Sequence, residues 1–496
     1  MSNIIEIVSV VLLIIYSIAI ILLFFYSLAQ LNLLINFLNN KKHQVKHIKF
    51  DFNISDEIPF VTIQLPVYNE KYVMKRLIDN IVLSAYPNDK LEIQVLDDST
   101  DDSVDDTKKL VEKYKKQGVD IKHIRRSNRI GFKAGALKEG LEMAKGEFIA
   151  IFDADFMPQS DWLHQTIPYF KNKNVGVVQT RWGHINRNHS ILTKVQAFAL
   201  DTHFTIEQSG RNSKNHCINF NGTAGVWRKS CILDAGNWQS DTLTEDLDLS
   251  YRAQLKNWEF VYLEDVVTPA ELPAIISAAR SQQFRWNKGG AENFVKLCSK
   301  VIHSKNLSFK SKLHGLIHLL NSSMFLFIFS VSVLSIPILY IKNKNEDLGW
   351  IFDMMSLFLL TTLIFFICYW FTYKKINSGG LINFIKYIGS FFTFYTIAMG
   401  FSFHNTMAVI EGITGKKSEF IRTPKFNMEE LKDKWKDNVY INRKISKNTI
   451  FEGLLIIFFG FGLFSAFWLE DFGLFPFHLM LFIGYSYVFI QSMKIK

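Results

Sequence analysis

The sequence predicts two structural parts: an α/β domain with a mainly parallel sheet, and a multi-span α-helical membrane domain. Long apolar stretches lie at the N-terminus and across the C-terminal third. Between them, from about residue 59 to residue 300, short hydrophobic runs alternate with amphipathic helical patterns. Acidic groups follow directly after two of those runs, at the strand ends where parallel sheets collect their ligands.

The first stretch, residues 7–38, is apolar for longer than a secretory signal core. It has no basic n-region and no small-residue cleavage site near its end, so it predicts a retained span. Lys41, Lys42, Lys46 and Lys49 follow at once. The positive-inside tendency then puts the N-terminus outside and the α/β domain in the cytoplasm. A crossing needs about 20 residues at roughly 1.5 Å each. Residues 316–341, 351–370 and 450–468 meet that length, and 475–490 needs its flanking residues to do so. The segment 385–413 is long enough for one crossing and too short for two. Basic stretches flank it at 374–386 and 416–447, and both prefer the cytoplasm. A segment that does not cross satisfies both, which predicts five spans, with Lys494 and Lys496 inside and Glu470-Asp471 outside.

Composition agrees. The 496 residues include 45 Phe, 17 Tyr and 10 Trp, and the mean hydropathy is +0.09, high for a soluble enzyme. A net charge of +10 could mark a nucleic-acid binder. Much of it sits beside the apolar spans, which favours basic membrane-flanking loops and no nucleic-acid partner. Cys217, Cys231, Cys298 and Cys368 are widely spaced; they form no metal-ligand pattern and read as reduced thiols.

Within the α/β part, 60–65, 91–96 and 148–152 read as buried strands, while 71–84, 107–117 and 135–145 have helical periodicity. The chemistry falls on three acidic groups: Asp97-Asp98, Asp153-Ala154-Asp155 and Glu245-Asp246. Carboxylates spaced by one residue at a strand end can reach one hard cation, Mg2+ or Mn2+, the usual partner of a diphosphate. Aspartates also populate ordinary turns, but three such groups in one α/β unit favour a site. Arg125-Arg126 and the run from Arg129 through Lys133 to Gly135 place cations and a permissive backbone before a helix, which suits phosphate. Asn219-Phe-Asn-Gly-Thr-Ala-Gly225 offers backbone NH groups and small side chains as a floor for a polar ligand. On a helix, Gln282, Arg285 and Trp286 share one face. Arginine can fork onto phosphate oxygens, and an indole can carry the apolar face of a sugar ring.

Taken in order, these segments resemble glycosyltransferase family 2 with its GT-A fold. Within it they resemble the processive branch of cellulose synthases, mannan and glucan synthase-like enzymes, and hyaluronan and chitin synthases. Pro66-Val-Tyr-Asn-Glu70 resembles the opening strand and loop, Asp97-Asp98-Ser99 the first aspartate motif, Asp153-Ala-Asp155 the DxD motif, Thr244-Glu245-Asp246 the TED motif, and Gln282-x-x-Arg285-Trp286 the QxxRW motif. Phe420-Ile-Arg422-Thr423-Pro-Lys425 resembles the gating loop of cellulose synthases. Phe220 to Trp227 and Gln179-Thr-Arg-Trp182 look most like the mannan and glucan synthase-like group. The likeness spans essentially the whole chain.

The resemblance implies roles. Asp98, Lys133, Asp153, Gln282 and Arg285 would bind the nucleotide sugar, and Asp155 would hold Mg2+ or Mn2+. Asp246 would be the catalytic base, Trp286 and Glu245 would meet the acceptor, and Arg422, Thr423 and Lys425 would belong to the gating loop. The expected protein is a hexosyltransferase of the plasma membrane with a cytoplasmic catalytic domain, polymerising a β-glucan or β-mannan from UDP-glucose or GDP-mannose with inversion and translocating it. The alternative is transfer of a single sugar to a membrane lipid such as ceramide, diacylglycerol or a polyprenyl phosphate. The expected division is 1–40, an N-terminal span; 41–300, the catalytic domain; 301–413, membrane and interface helices; 414–449, the basic loop; and 450–496, a C-terminal transmembrane hairpin.

Overall fold

Aliphatic runs buried on both faces form the centre of the sheet. Strands β1 (Val61–Val67) and β2 (Leu91–Asp97) are buried at almost every position, as parallel strands covered on both sides must be. With β3 (Ile121–Ile124), β4 (Phe148–Ile151), β5 (Val175–His184), β6 (Gly225–Arg228) and β7 (Glu259–Ala270) they make a seven-stranded sheet in the order β3-β2-β1-β4-β6-β5-β7. All neighbours are parallel except β6, which runs against both β4 and β5. Helices α2 (Met74–Ile81), α3 (Ser103–Lys116) and α4 (Phe132–Met143) connect the first four strands. One apolar layer gathers Leu65, Val95 and Trp162, the other Leu137, Trp227 and Phe204.

This computed structural model describes residues 2–39, 58–345, 352, 357–418, 420–427, 438–440 and 447–494. Lys41, Lys42, Lys46, Lys49 and Lys496 lie outside the described residues, as do the start of the expected 351–370 span and most of 428–446.

Local chemistry shifts several helix boundaries from those expected. Helix α3 begins four residues early because Asp101 accepts from the Ser103 backbone NH at 3.1 Å, an Asx-type start. Helix α4 begins at Phe132 instead of Gly135, where Gly131 and Phe132 both hold positive φ (74° and 49°). Helix α5 (Ile191–Thr202) runs into a π-helical turn, His203–Gln208, which carries the chain on below the sheet.

The apolar helices begin with α1 (Ser2–Asn39). After α6 (Glu245–Leu255) and β7 come the 28-residue α7 (Ile276–His303) and α8 (Phe309–Leu319). Then follow α9 (Met324–Lys344), α10 (Leu357–Asn377), α11 (Leu381–Gly400), α12 (Ser402–Ile413), α13 (Lys447–Trp468) and α14 (Phe475–Met493). The span expected over 316–341 is corrected: 316–319 end α8, and the apolar helix starts only after the 3-10 turn Asn321–Ser323.

Five described helices are long and apolar enough to cross a bilayer, namely α1, α9, α10, α11 and α13, so the protein has a multi-pass membrane part. The segment expected not to cross, 385–413, divides into α11 and α12 at Phe401. Helix α11 has spanning length, yet it leans on the catalytic domain. Tyr387 and Phe394 contact Phe198 of α5 at 6.1 and 5.4 Å between rings. Ile397 and Phe401 share a cluster with Leu192, Val195, Ile276 and Ala279. Helix α12 then lies directly on α7, with the Asn405 amide donating to Gln283 Oε1 at 2.8 Å.

Helix α7 is tied to the membrane part by charge as well. Arg280 forks onto Glu452 of α13 and onto the Thr449 hydroxyl, and Glu452 is fully buried. Removing one partner strands the other charge, which costs about 3–5 kcal/mol, whereas replacing both with apolar residues is often neutral. Thermal unfolding in detergent should therefore show Glu452→Leu strongly destabilised and R280M/E452L recovering most of the loss. Equal destabilisation by the single and double variants would refute that account.

Candidate active site

Every residue given a role from the sequence lines one or both of two adjoining cavities at the carboxyl ends of β1, β2 and β4. Lys133, Asp153, Asp155, Glu245, Asp246, Gln282, Arg285, Trp286 and Lys425 line the first. Asp98, Lys133, Asp153, Arg285, Arg422, Thr423 and Lys425 line the second, joined by Tyr68, Glu70 and Arg129. Strand ends supply Asp98, Asp153 and Asp155, the first turn of α4 supplies Lys133, the first turn of α6 supplies Glu245 and Asp246, and one face of α7 supplies Gln282, Arg285 and Trp286.

In the first cavity the Lys133 ammonium donates to Asp153 Oδ1 at 2.5 Å and to the Gly222 carbonyl at 2.9 Å. Burial works against its charge, but Asp153, Glu245 and Asp246 together hold its pKa above the ordinary value. Asp246 lies one residue into α6, where the helix dipole favours an anion, and its Oδ1 accepts from the Leu247 NH at 2.9 Å. Burial first, and the neighbouring Glu245 carboxylate second, still push its pKa well above the carboxylate range, with Lys133 opposing them. Gly222, at φ 74°, closes on this group: an added Cβ would stand 3.1 Å from Asp246 Oδ2. The second carboxylate of the DxD segment lines the same cavity with different partners. Asp155 Oδ1 is buried without a hydrogen bond and lies 2.8 Å from the Lys425 ammonium, while Oδ2 accepts from the Glu271 NH at 3.2 Å.

The segment 420–427 lies across both cavities. Thr423 accepts from Arg285 at 3.1 Å, and the Arg285 guanidinium rests on the Phe420 ring at 4.6 Å. Phe420 in turn stacks on Phe132 at 5.7 Å. Arg422 Nε sits 3.1 Å from Glu70 Oε1. Burial nonetheless raises the Glu70 pKa to about 7, against the pull of Arg422 and Lys425.

The expected arginine cradle is corrected. Arg126 is committed to Asp98, its Nε donating to Oδ1 at 2.9 Å, and Arg125 donates to the Ser99 carbonyl at 2.7 Å. Arg129 alone faces the second cavity, its guanidinium 3.3 Å from the centre of the Tyr68 ring. The two together form a flat cationic platform that suits a base.

Residues 59–289 match the family model described as "Glycosyltransferase like family 2". That stretch, just under half of the chain, is similar to glycosyltransferase family 2. A probable glucomannan 4-beta-mannosyltransferase 11 of Oryza sativa subsp. japonica is 46% identical over 261 residues, covering 52% of this chain and 46% of that relative. Glucomannan 4-beta-mannosyltransferase 1 of Cyamopsis tetragonoloba is 42% identical over 297 residues, covering 58% and 56%. The chain thus spans about half the length of the curated relatives it matches. The mannosyltransferase PcManGT from Pyrobaculum calidifontis, solved with GDP-Man and Mn2+, superposes with a TM-score of 0.50 at 17% identity over 81% of this chain and all of that one. That likeness shows the fold.

The site also contains residues to which sequence reasoning gave no role. Trp182 lines the first cavity with its ring centre 6.5 Å from that of Trp286, and His184 lines it too, while Asn221 and Gly222 line it from the expected floor segment 219–225. The tryptophan at the end of a strand was the available signal, since β5 turns its last residues toward the site. A second signal lay in Glu70, an acid directly after the first strand.

With Asp246 as base, Asp246→Asn should lower kcat by about 100- to 10,000-fold while donor binding persists. Because the folded pKa of Asp246 is raised, the base is lost as pH falls through that raised value. The acid limb of kcat/KM should therefore lie above the roughly pH 4 of an ordinary carboxylate. Lys133→Met removes the opposing cation and should move that limb to still higher pH. A limb that stays at the same pH in K133M would separate Asp246 from the titration.

Proposed function

We propose that the chain is a membrane-bound, inverting β-glycosyltransferase that adds mannosyl units from GDP-mannose to a growing β-mannan or glucomannan. The carrying observation is the first cavity. It holds a half-buried carboxylate of raised pKa, Asp246, facing a cationic lysine and arginine, with two indoles on its wall. The names of the relatives favour mannose over glucose as the sugar transferred.

The donor base rests on the Tyr68–Arg129 platform beside Asp98 in this reading. Lys133, Gln282 and Arg285 orient the diphosphate between the cavities. Trp286 and Trp182 carry the acceptor's terminal rings, and Glu245 lies alongside. Asp246 removes the proton from an acceptor hydroxyl, whose oxygen attacks the anomeric carbon from the face opposite the diphosphate. One displacement converts an α-linked donor into a β-linked product, and no carboxylate nucleophile takes part. Arg285 and Lys133 are preorganised toward the charge that develops on the leaving group. The segment 420–427, through Arg422, Thr423 and Lys425, covers the reacting groups and excludes water.

No group of three His, Cys, Asp or Glu side chains among the described residues is placed to hold a metal ion by itself. Asp155 nevertheless fits a divalent cation, because its buried Oδ1 accepts no hydrogen bond and faces a cationic group. Asp155 beside Asp153 would hold Mg2+ or Mn2+, which when bound supplies positive charge to the diphosphate. The same reading puts the catalytic domain, 41–300, on the cytoplasmic side of the plasma membrane, and makes 414–449 the gating loop between the helices of 301–413 and the hairpin of 450–496.

The test is incubation of the purified protein with Mg2+ or Mn2+ and radiolabelled GDP-mannose, GDP-glucose, UDP-glucose or UDP-N-acetylglucosamine, with products partitioned between lipid extract and polymer. GDP-mannose label should enter polymer that a β-mannanase digests. Label confined to a monosaccharide adduct in the lipid extract would establish the lipid transferase instead. Trp182→Ala and Trp286→Ala should each raise the acceptor KM by about tenfold, in line with loss of a stacked ring, with little change in donor KM.

A further inference from the structure

The hairpin of α7 and α8 has a charge pattern that sugar transfer does not use. No aspartate or glutamate occurs between Glu292 and Glu346, while Lys296, Lys300, Lys305, Lys310 and Lys312 fall within its first part. Lys296 is paired with Asp241 and Asp248. The other four have no ion pair among the described residues. The inner faces of the two helices bury Leu297, Val301 and Leu319 against Tyr251. Their outer faces expose Val295, Ile302, Phe309 and Leu313, with Phe309 82% exposed.

The hairpin also packs beside the second half of α1, a helix long and apolar enough to cross a bilayer. Tyr26 of α1 donates to Asn321, just before α9 enters its apolar run, and His314 of α8 meets Asn32 of α1 at 3.1 Å. Phe309 and Lys310 open α8, four to five residues before His314, roughly 6–8 Å away at helical rise. Exposed lysines around exposed large apolar side chains beside such a helix match the headgroup region, where basic side chains meet phosphates and a ring can enter the acyl boundary.

We propose that the outer face of the α7–α8 hairpin is a binding surface for anionic phospholipid headgroups in the leaflet on the catalytic side. Phe309 and Leu313 insert among the lipids, and Lys300, Lys305, Lys310 and Lys312 hold the phosphates. Since α7 carries Gln282, Arg285 and Trp286, lipid bound here steadies the helix that presents them.

The test uses the full chain in phosphatidylcholine nanodiscs containing a photo-crosslinkable analogue of either phosphatidylglycerol or phosphatidylcholine, with labelled peptides mapped by mass spectrometry. The phosphatidylglycerol analogue should label 295–313 about tenfold or more above the phosphatidylcholine analogue. K300Q/K305Q/K310Q/K312Q, checked for an unchanged unfolding midpoint, should lose that excess, and so should raised salt. Phe309→Ser should lower labelling of 295–313 by both analogues. Equal labelling by the two analogues, labelling confined to other segments, or an undiminished excess in the four-lysine variant would overturn the proposal.

Discussion

Helix α7 is gripped by a polar side chain at nearly every turn, and the arrangement of both parts of the molecule follows from that. Arg280 is bound to Glu452 and Thr449 of α13, and Gln283 to Asn405 of α12. Arg285 meets Thr423. Lys288 is fully buried and donates to the Ser418 hydroxyl at 2.8 Å and to the Lys416 carbonyl. Buried charges of this kind are tolerated only when each is paired and its hydrogen bonds are met, so the register of α7 against α12 and α13 is tightly fixed. One face of the helix therefore presents the QxxRW side chains to the cavity. The other faces hold the membrane helices and the start of the segment 420–427.

Charge balance organises the cavities in the same way. Asp98 is matched by Arg126, Asp153 by Lys133, Asp155 by Lys425 and Glu70 by Arg422. Asp246 has no close partner of its own among these pairs and shares its space with Glu245. Burial and that like charge raise its pKa. A half-buried carboxylate that neighbours drive toward neutrality is poised to accept a proton near the operating pH. The pairs around it are held by segments far apart in sequence, so the cavity is preorganised by the whole domain and not by one loop.

Much of this was legible in the sequence. Strands β1, β2 and β4 show as aliphatic runs because both of their faces are buried, and the acids that follow them show because strand ends on such sheets are where ligands bind. The face shared by Gln282, Arg285 and Trp286 follows from helical spacing alone. What could not be read was pairing over distance. Nothing local says that Arg126 serves Asp98 instead of phosphate, that Glu70 and Arg422 meet, or that Trp182 stands beside Trp286. Helix starts were misplaced for a different reason: a positive φ at Phe132 and the Asp101 turn before Ser103 are backbone events that side-chain periodicity does not report.

The segment 385–413 shows what contacts add to hydropathy. Its first helix, α11, has the length and apolarity of a crossing. A crossing would carry its far end away from the catalytic domain, and α12 would follow it. Instead Ile397 and Phe401 pack with Leu192 and Ile276, and an added Cβ on Gly412 of α12 would stand 2.6 Å from the Lys288 carbonyl of α7. The end of α11 thus packs on the catalytic domain, and α12 on α7. At the start of α11, Leu381, Ile382 and Ile385 are exposed. An apolar helix needs lipid along one face to satisfy the hydrophobic effect, and a bilayer's surface layer can supply that as well as its core. Length and apolarity therefore give a necessary condition for crossing, and the position of the helix ends gives the sufficient one.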